Sequence, residues 1–304
     1  MKARSFKTVQ AGLGFLIAVA AWPQAHGAED EVTANRSDAR SPAVQSVQPD
    51  VNAKIHEKAL EKRKKILDDA LRAVEETRKA LKALDEGRND EALAALEKVT
   101  GKLELILALD PDLALVPVDV KVVTYDVRVD VETVKKAIEE ARRLLDEGEV
   151  QSARRLVATL ASEIIFRTLN IPMATYPDTI KTVAPLIDQG KIDEAKATLE
   201  SVLGTLVVTE DIVALPVLRA RLLLKDAETL AAKENRSDED NEKLAADLAA
   251  AREQIRLAEV LGYGKKEAFD PIYNQIDEIE AKSSGGKSGT GWFDEIKRQL
   301  SELL

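Results

Sequence analysis

A turn that occurs three times constrains the fold of this chain more than any other feature. Residues 84–87 (LDEG), 145–148 (LDEG) and 187–190 (IDQG) each end an apolar pattern of helical period, and an alanine follows each glycine five residues later. Glycine can adopt the left-handed backbone conformation that ends many helices. The alanine allows the next helix to pack closely against the first. We therefore predict three antiparallel helical hairpins.

Helical periodicity extends over most of residues 51–282, which we predict to form one principal domain. Apolar residues three and four positions apart predict a long helix from 51 to 87 and a second one before Pro111, so that residues 51–109 form the N-terminal hairpin. Further helices are predicted at about 216–233, 240–262 and 266–282. The turn glycines are 61 and 42 residues apart. Because the spacing is irregular, recurrent hairpins are favoured over a solenoid.

Residues 118–129 (VDVKVVTYDVRV) interrupt the helical rhythm with valines that alternate with other residues. Alternation of this kind is typical of a strand, and its change of phase at 122/123 predicts a bulge or bend. Shorter extended segments are predicted at 171–176 and 205–212, whereas the helix after Gly148 is predicted to reach Ile164. The predicted fold class is mainly α, with antiparallel helical hairpins, a small β element and a hinged C-terminal amphipathic helix.

The N-terminus predicts export. Lys2, Arg4 and Lys7 precede an apolar run from 11 to 22, and Ala25-His26-Gly27 offers small residues for cleavage before Ala28. This is the layout of a secretory signal peptide at residues 1–27, and an uncleaved anchor is the alternative. We expect a periplasmic protein without stable membrane insertion after cleavage. Residues 28–50 are polar and aperiodic, which predicts a disordered leader.

The composition of the chain argues against several classes of site and partner. The chain has 54 acidic and 44 basic residues, for a net charge of −10 at pH 7, which disfavours nucleic acid as a partner. It has no cysteine, and His56 is the one histidine outside the signal peptide, so no zinc-ligand set can form from thiolates and imidazoles. We predict no catalytic, cofactor-binding or metal-binding residue and therefore no enzyme.

Residues 283–291 are rich in glycine and serine. Residues 281–288 (AKSSGGKS) nearly match a phosphate-binding loop, but alanine occupies the position of the first glycine. Such a loop also requires a preceding strand, whereas the segment before this one is predicted to be helical. We interpret residues 283–291 as a flexible hinge.

The segment after the hinge, residues 292–304, is the candidate binding element. Trp292, Ile296, Leu300 and Leu303 form an apolar stripe with Phe293 beside it. A tethered amphipathic helix can dock on its own domain, on another subunit, on a foreign protein or on a membrane. We predict that these five residues bind a partner, and docking on the chain's own domain remains the alternative.

Three segments within residues 123–230 resemble the YfdX family. They are VETVKKAIEEARRLLDEGEVQSARRLV, IPMATYPDTIKTVAPLIDQGKIDEAKATLESVLG and VVTEDIVALPVLRARLLLKDAETLA. The resemblance implies a secreted, largely helical bacterial protein with a small β element and a link to acid and stress tolerance. It carries no catalytic residues onto this chain.

The predicted function is that of a periplasmic, stress-associated binding protein without catalytic activity. We expect it to self-associate as a homo-oligomer and to bind a periplasmic protein or a small ligand. Two alternatives remain open at this point: a hydrolase that uses a carboxylate site, and a purely structural, self-assembling scaffold.

Overall fold

The computed structural model describes residues 40–303, so the predicted signal peptide lies outside the described residues. The fold is mainly α with one small antiparallel sheet, which confirms the predicted fold class. No helix in the described part of the chain is both long and apolar enough to span a membrane. The helices are α1 (Pro42–Ser46), α2 (Gln48–Lys64), α3 (Asp68–Asp85), α4 (Asn89–Leu109), α5 (Val131–Asp146), α6 (Val150–Val157), α7 (Tyr176–Asp188), α8 (Ile192–Gly204), α9 (Leu215–Ala232), α10 (Asp238–Leu261), α11 (Asp270–Ser283) and α12 (Asp294–Glu302). The strands are β1 (Leu115–Tyr125), β2 (Glu163–Pro172) and β3 (Val207–Ala214).

All three predicted hairpin turns are present, between α3 and α4, α5 and α6, and α7 and α8. Gly87, Gly148 and Gly190 have φ angles of 72°, 79° and 73°, in the left-handed region that glycine tolerates. The residue after each glycine donates its N–H to the carbonyl five positions earlier, as from Arg88 to Ala83 at 2.8 Å. The alanines five residues after the glycines are 0–1% exposed, so they allow the close packing that the sequence predicted.

The predicted N-terminal hairpin begins later than expected. The helix predicted from 51 to 87 is broken at residues 65–67, and the hairpin consists of α3 and α4 alone. The helix before the break, α2, packs instead against α9 and β1. Helical spacing of the leucines continues across the break, but Leu60 and Leu67 are 41% and 42% exposed. The leucine pattern therefore does not mark one continuous buried face.

The predicted disordered leader, residues 28–50, is wrong over its last part. Residues 42–46 form α1 and residues 48–50 begin α2, while residues 28–39 lie outside the described part of the chain. Val44 and Val47 are 2% and 1% exposed. These two apolar side chains, three positions apart, give the short segment enough buried surface to pack on the domain.

The three strands form an antiparallel sheet in the order β1-β2-β3. The predicted strand at 118–129 corresponds to β1, but the register shifts between Pro117 and Asp119 and not at 122/123. The helix predicted to reach Ile164 ends at Val157 as α6, and β2 begins at Glu163. The extended segment predicted at 171–176 therefore overlaps only the end of β2. The segment predicted at 205–212 corresponds to β3.

Two main hydrophobic clusters divide the molecule. One lies among the hairpins α3/α4 and α7/α8 and includes residues of β1 and β2. The other gathers α1, α2, α9, α10, α11 and α12 against the opposite part of the sheet. A smaller cluster joins the start of α5 to the end of α10. The candidate site described below lies where α1 and α5 meet α10.

Candidate functional site

The five residues predicted to bind a partner are packed within the chain itself. Phe293, Ile296 and Leu300 are at most 1% exposed in the cluster that contains α9 and α11, and Trp292 and Leu303 pack against the same cluster. The helix α12 also forms an ion pair between Lys297 and Glu228 of α9. The predicted binding face is therefore buried within the chain and is not available to a partner in this conformation. This arrangement is the alternative given above, docking on the chain's own domain.

The Gly/Ser segment before α12 is anchored as well. The guanidinium of Arg236, which is 8% exposed, donates to the carbonyls of Ser283 at 3.1 Å and Lys287 at 2.7 Å. The N–H of Gly289 donates to the carbonyl of Ala231 at 3.0 Å. These contacts tie the segment at three points to the end of α9 and to the loop that follows it. The segment therefore serves in this structure as a fixed connection, where the sequence predicted a flexible hinge.

A mainly apolar cleft of about 480 Å³ lies between α1, the segment that joins β1 to α5, and one face of α10. Its volume falls within the usual range of small-molecule sites, which combine apolar walls with a few polar groups. The polar groups belong to Arg40, Ser41, Asp130, Glu253 and Gln254. The apolar walls are formed by Pro42, Ala43, Val44, Val127, Val129, Val131, Ala246, Ala249, Ala250 and Leu257.

Local sequence features position the three walls of the cleft. The hydroxyl of Ser41 caps α1 by accepting from the N–H of Val44 at 3.3 Å, and Pro42 occupies the first turn, where its missing N–H costs nothing. Asp130 caps α5 by accepting from the N–H of Thr133 at 2.8 Å. The wall on α10 consists of residues three and four positions apart, which lie on one face of a helix. Small alanines on that face leave room for the cleft.

Gln254 is the least expected group in the cleft. Its side chain is 5% exposed, yet its Oε1 atom accepts no hydrogen bond from the protein. A buried carbonyl oxygen without a partner costs about 1–3 kcal/mol, so such groups are rare in folded proteins. The oxygen is shielded from solvent in this conformation, so a donor N–H or O–H on a molecule bound in the cleft pairs with it only after the side chain turns toward the cleft.

A buried ion network forms the support behind the cleft. Arg219 of α9, 1% exposed, donates to both carboxylate oxygens of Asp126 at 2.9 and 2.8 Å. Arg40 donates to Asp126 at 3.1 Å and to Gln48 at 3.1 Å, and Gln48 also accepts from Arg219 at 3.2 Å. A bidentate guanidinium–carboxylate pair is directional as well as strong. The network therefore fixes α1 and the end of β1 against α9.

The charged groups at the cleft have opposite signs. The carboxylate of Asp130 is ionised at neutral pH, because hydrogen bonds from the backbone and side chain of Thr133 lower its pKa. Glu253 contributes a second carboxyl group, and Arg40 contributes a guanidinium on the α1 side. No group of three or more His, Asp or Glu side chains that could hold a metal ion occurs among residues 40–303.

Sequence reasoning missed Gln254, Asp126 and Arg219, although two of them carry a recognisable signal. Arg219 interrupts the apolar run LPVLRARLLL, and Gln254 lies between buried Ala251 and Ile255 on α10. A polar residue inside a buried apolar stripe requires a partner, and this rule could have identified both. Asp126 lies beyond the end of β1, and no local pattern links it to Arg219, which is 93 residues away.

Comparison with known proteins identifies a family over part of the chain. Residues 73–212 match the family model described as YfdX protein. A solved structure of YfdX from Salmonella Typhi is similar at 18% identity and a TM-score of 0.35, and the match covers 49% of this chain and 93% of that one. No curated protein matches the chain. The family match therefore identifies residues 73–212 of this chain as a YfdX region.

Proposed function

We propose that this chain is a non-catalytic binding protein that takes a small, mainly apolar ligand with one hydrogen-bond donor into the cleft beside α10. The mainly apolar cleft carries the proposal, and the unpartnered Oε1 atom of Gln254, once turned toward the cleft, favours a ligand that brings a donor. The network of Arg219 and Asp126 supports the cleft in a preformed shape, which lowers the entropic cost of binding.

The polar groups of the cleft support binding more than catalysis. The Ser41 hydroxyl accepts the N–H of Val44 in the helix cap, and no hydrogen bond joins it to a basic side chain among residues 40–303. A general acid at neutral pH needs a raised pKa, whereas the pKa of Asp130 is lowered. The hydrolase reading would require a carboxyl group in the cleft with the opposite shift.

The setting of this function is also part of the proposal. The signal-peptide pattern of residues 1–27 supports a periplasmic location, and the family resemblance supports a link to stress tolerance. A periplasmic protein partner and self-association remain compatible with ligand binding. A purely structural scaffold would need no ligand cleft, and the following experiment therefore separates the two readings.

The test uses N-phenyl-1-naphthylamine, an uncharged apolar probe with one N–H donor whose fluorescence rises in apolar surroundings. We expect saturable binding to the purified protein. The Ala249→Phe variant fills the cleft from an exposed position and should abolish binding. The Gln254→Leu variant removes the acceptor and should weaken binding about two- to tenfold, the value of one hydrogen bond.

A matched control lies on the same helix. Ala245 is also exposed but does not line this cleft, so Ala245→Phe should bind the probe like the unmodified protein. Equal binding by all variants would refute the proposed site. Circular dichroism of each variant distinguishes a lost site from a lost fold.

A further inference from the structure

The outer edge of the sheet at β3 is open. In the sheet order β1-β2-β3, β3 pairs with β2 on one side, and no other strand of the described residues pairs with its outer side. Residues 207–212 are all exposed along the strand. Every second residue of an edge strand directs its N–H and C=O away from the sheet, where another strand can pair with them.

The two sides of β3 differ in what covers them. Asp211 and Val213 lie on the side where Lys62 of α2 and the α2/α9 cluster contact the sheet. Val208 and Ile212 lie on the other side and are 48% and 51% exposed. The side of β3 that carries Val208 and Ile212 is thus exposed near each end of the strand, whereas on β2 the same side contributes Leu169 and Ile171 to the cluster of α3/α4 and α7/α8.

The charges at the centre of β3 are already paired within the chain. Glu210 forms an ion pair with Arg167 of β2 at 2.6 Å, and Asp211 forms one with Lys62 of α2. Charged side chains usually protect an edge strand from pairing with another copy. Here the partner cations reduce the repulsion that two such edges would otherwise have.

We propose that β3 is a homodimer interface, at which the β3 strands of two copies pair antiparallel about a two-fold axis through Glu210. In this register Val208 lies opposite Ile212 of the second copy, and the two-fold axis makes this pair twice. Opposite residues in an antiparallel pair share one side of the sheet, so both apolar pairs form on the exposed side of β3.

The same register sets the two Glu210 carboxylates opposite each other, and the Arg167 guanidinium beside each carboxylate offsets their repulsion. The row through Glu210 contains Arg167, Glu210, and then Glu210 and Arg167 of the second copy, so that two guanidinium groups flank two carboxylates. An axis through Thr209 would place Val208 opposite Glu210, and an axis through Asp211 would place Ile212 opposite Glu210. Each of these alternatives loses both contacts between Val208 and Ile212, so it is less favourable than the register through Glu210.

Pairing of two eight-residue strands buries less surface than a standard protein interface. We therefore expect a dimer that forms with rising protein concentration and dissociates on dilution. Sedimentation velocity over a range of concentrations measures this association directly.

The register can be tested by crosslinking, because the chain contains no cysteine. Single-cysteine variants Thr209→Cys, Glu210→Cys and Asp211→Cys each place a thiol on β3, and exposed Ala197→Cys on α8 serves as control. Opposite residues of antiparallel strands have Cα atoms about 4.5–5.5 Å apart, within the range for a disulfide. We expect Glu210→Cys to form a linked dimer at least tenfold faster than the other three variants. Faster crosslinking at residue 209 or 211, or equal rates in all variants, would overturn the proposal.

A pair of double variants tests the contact between Val208 and Ile212. Val208→Lys with Ile212→Lys sets cations opposite each other and should abolish the dimer. Val208→Lys with Ile212→Glu makes the same positions complementary and should retain it. Both substitutions are at exposed positions, so the melting temperature should show that each variant folds. A dimer that survives in the first variant, or a β3 edge that is protected from hydrogen exchange in a monomer, would contradict the proposal.

Discussion

The Asp126→Asn substitution tests how strongly the buried ion network holds the cleft together. The change keeps the size of the side chain but removes the charge that pairs with both Nη atoms of Arg219. Removal of one partner from a buried ion pair costs about 3–5 kcal/mol, because the other charge stays buried without compensation. Asp126 is 13% exposed, so water reaches it in part and we expect about 3 kcal/mol, the lower end of this range.

This loss is measurable by urea unfolding at pH 7, followed by circular dichroism. A loss of about 3 kcal/mol raises the unfolding constant roughly a hundredfold and lowers the melting temperature by about 6–12 °C for a domain of this size. The double variant Asp126→Asn with Arg219→Met also removes the fully buried guanidinium, so only the partly exposed Arg40 keeps its charge, and it should recover part of the loss. Asp69→Asn breaks a more exposed ion pair, with Lys102, and should lower the midpoint much less.

We also expect Asp126→Asn to bind the fluorescent probe less tightly. Since Asp126 accepts from Arg40, which lines the cleft, the affinity for N-phenyl-1-naphthylamine should fall with the stability. If Asp126→Asn unfolded at the same urea concentration as the Asp69→Asn control, the network would not hold α1 in place and the argument would be refuted.

Three further predictions concern the turns, the C-terminal helix and a buried carboxyl group. Gly148→Ala forces an alanine to φ 79° and should lower the free energy of unfolding by about 1 kcal/mol in a denaturation curve, whereas Gly101→Ala, inside α4, should not lower it. Ile296→Ala should cost about 2–5 kcal/mol in the same measurement, since the side chain is buried; an unchanged stability would show that α12 is not docked in cis. Burial raises the pKa of Asp247, so between its ordinary pKa and the raised one the native chain keeps a proton that the unfolded chain has released. The contribution of Asp247 to stability is therefore fully present below its ordinary pKa and is lost as the pH rises through the raised one. Unfolding of Asp247→Asn and of the unmodified protein between pH 3 and 7 should diverge in that window, and parallel pH profiles would contradict the shift.

The hairpins could be predicted because their determinants are local. At Gly87, Gly148 and Gly190 the chain needs a left-handed residue, and the apolar spacing on both sides already defines the two packed faces. The start of β2 was missed because residues 163–166 (EIIF) form a short apolar run that fits a buried helix as well as a strand. Only pairing with β1 and β3 decides between them, and that pairing is not local.

The tail and the cleft show where sequence periodicity stops being informative. The stripe that includes Ile296 and Leu300 correctly predicts an amphipathic helix, but the same stripe fits a foreign groove or the chain's own core. The choice depends on Arg236, which fixes the preceding segment from a different part of the chain. The cleft likewise arises from α1, α5 and α10 together, so no single pattern announces it.

The measurement that tests ligand binding at Gln254 most directly is a nuclear magnetic resonance titration of the side-chain amide groups with N-phenyl-1-naphthylamine. We expect the Gln254 amide signal to shift in a saturable manner, with the affinity found by fluorescence and with no such shift in Ala249→Phe. The signal of Gln299, whose buried Oε1 also has no partner but does not line the cleft, should not move. Saturable binding that leaves the Gln254 signal unchanged would contradict the proposed site.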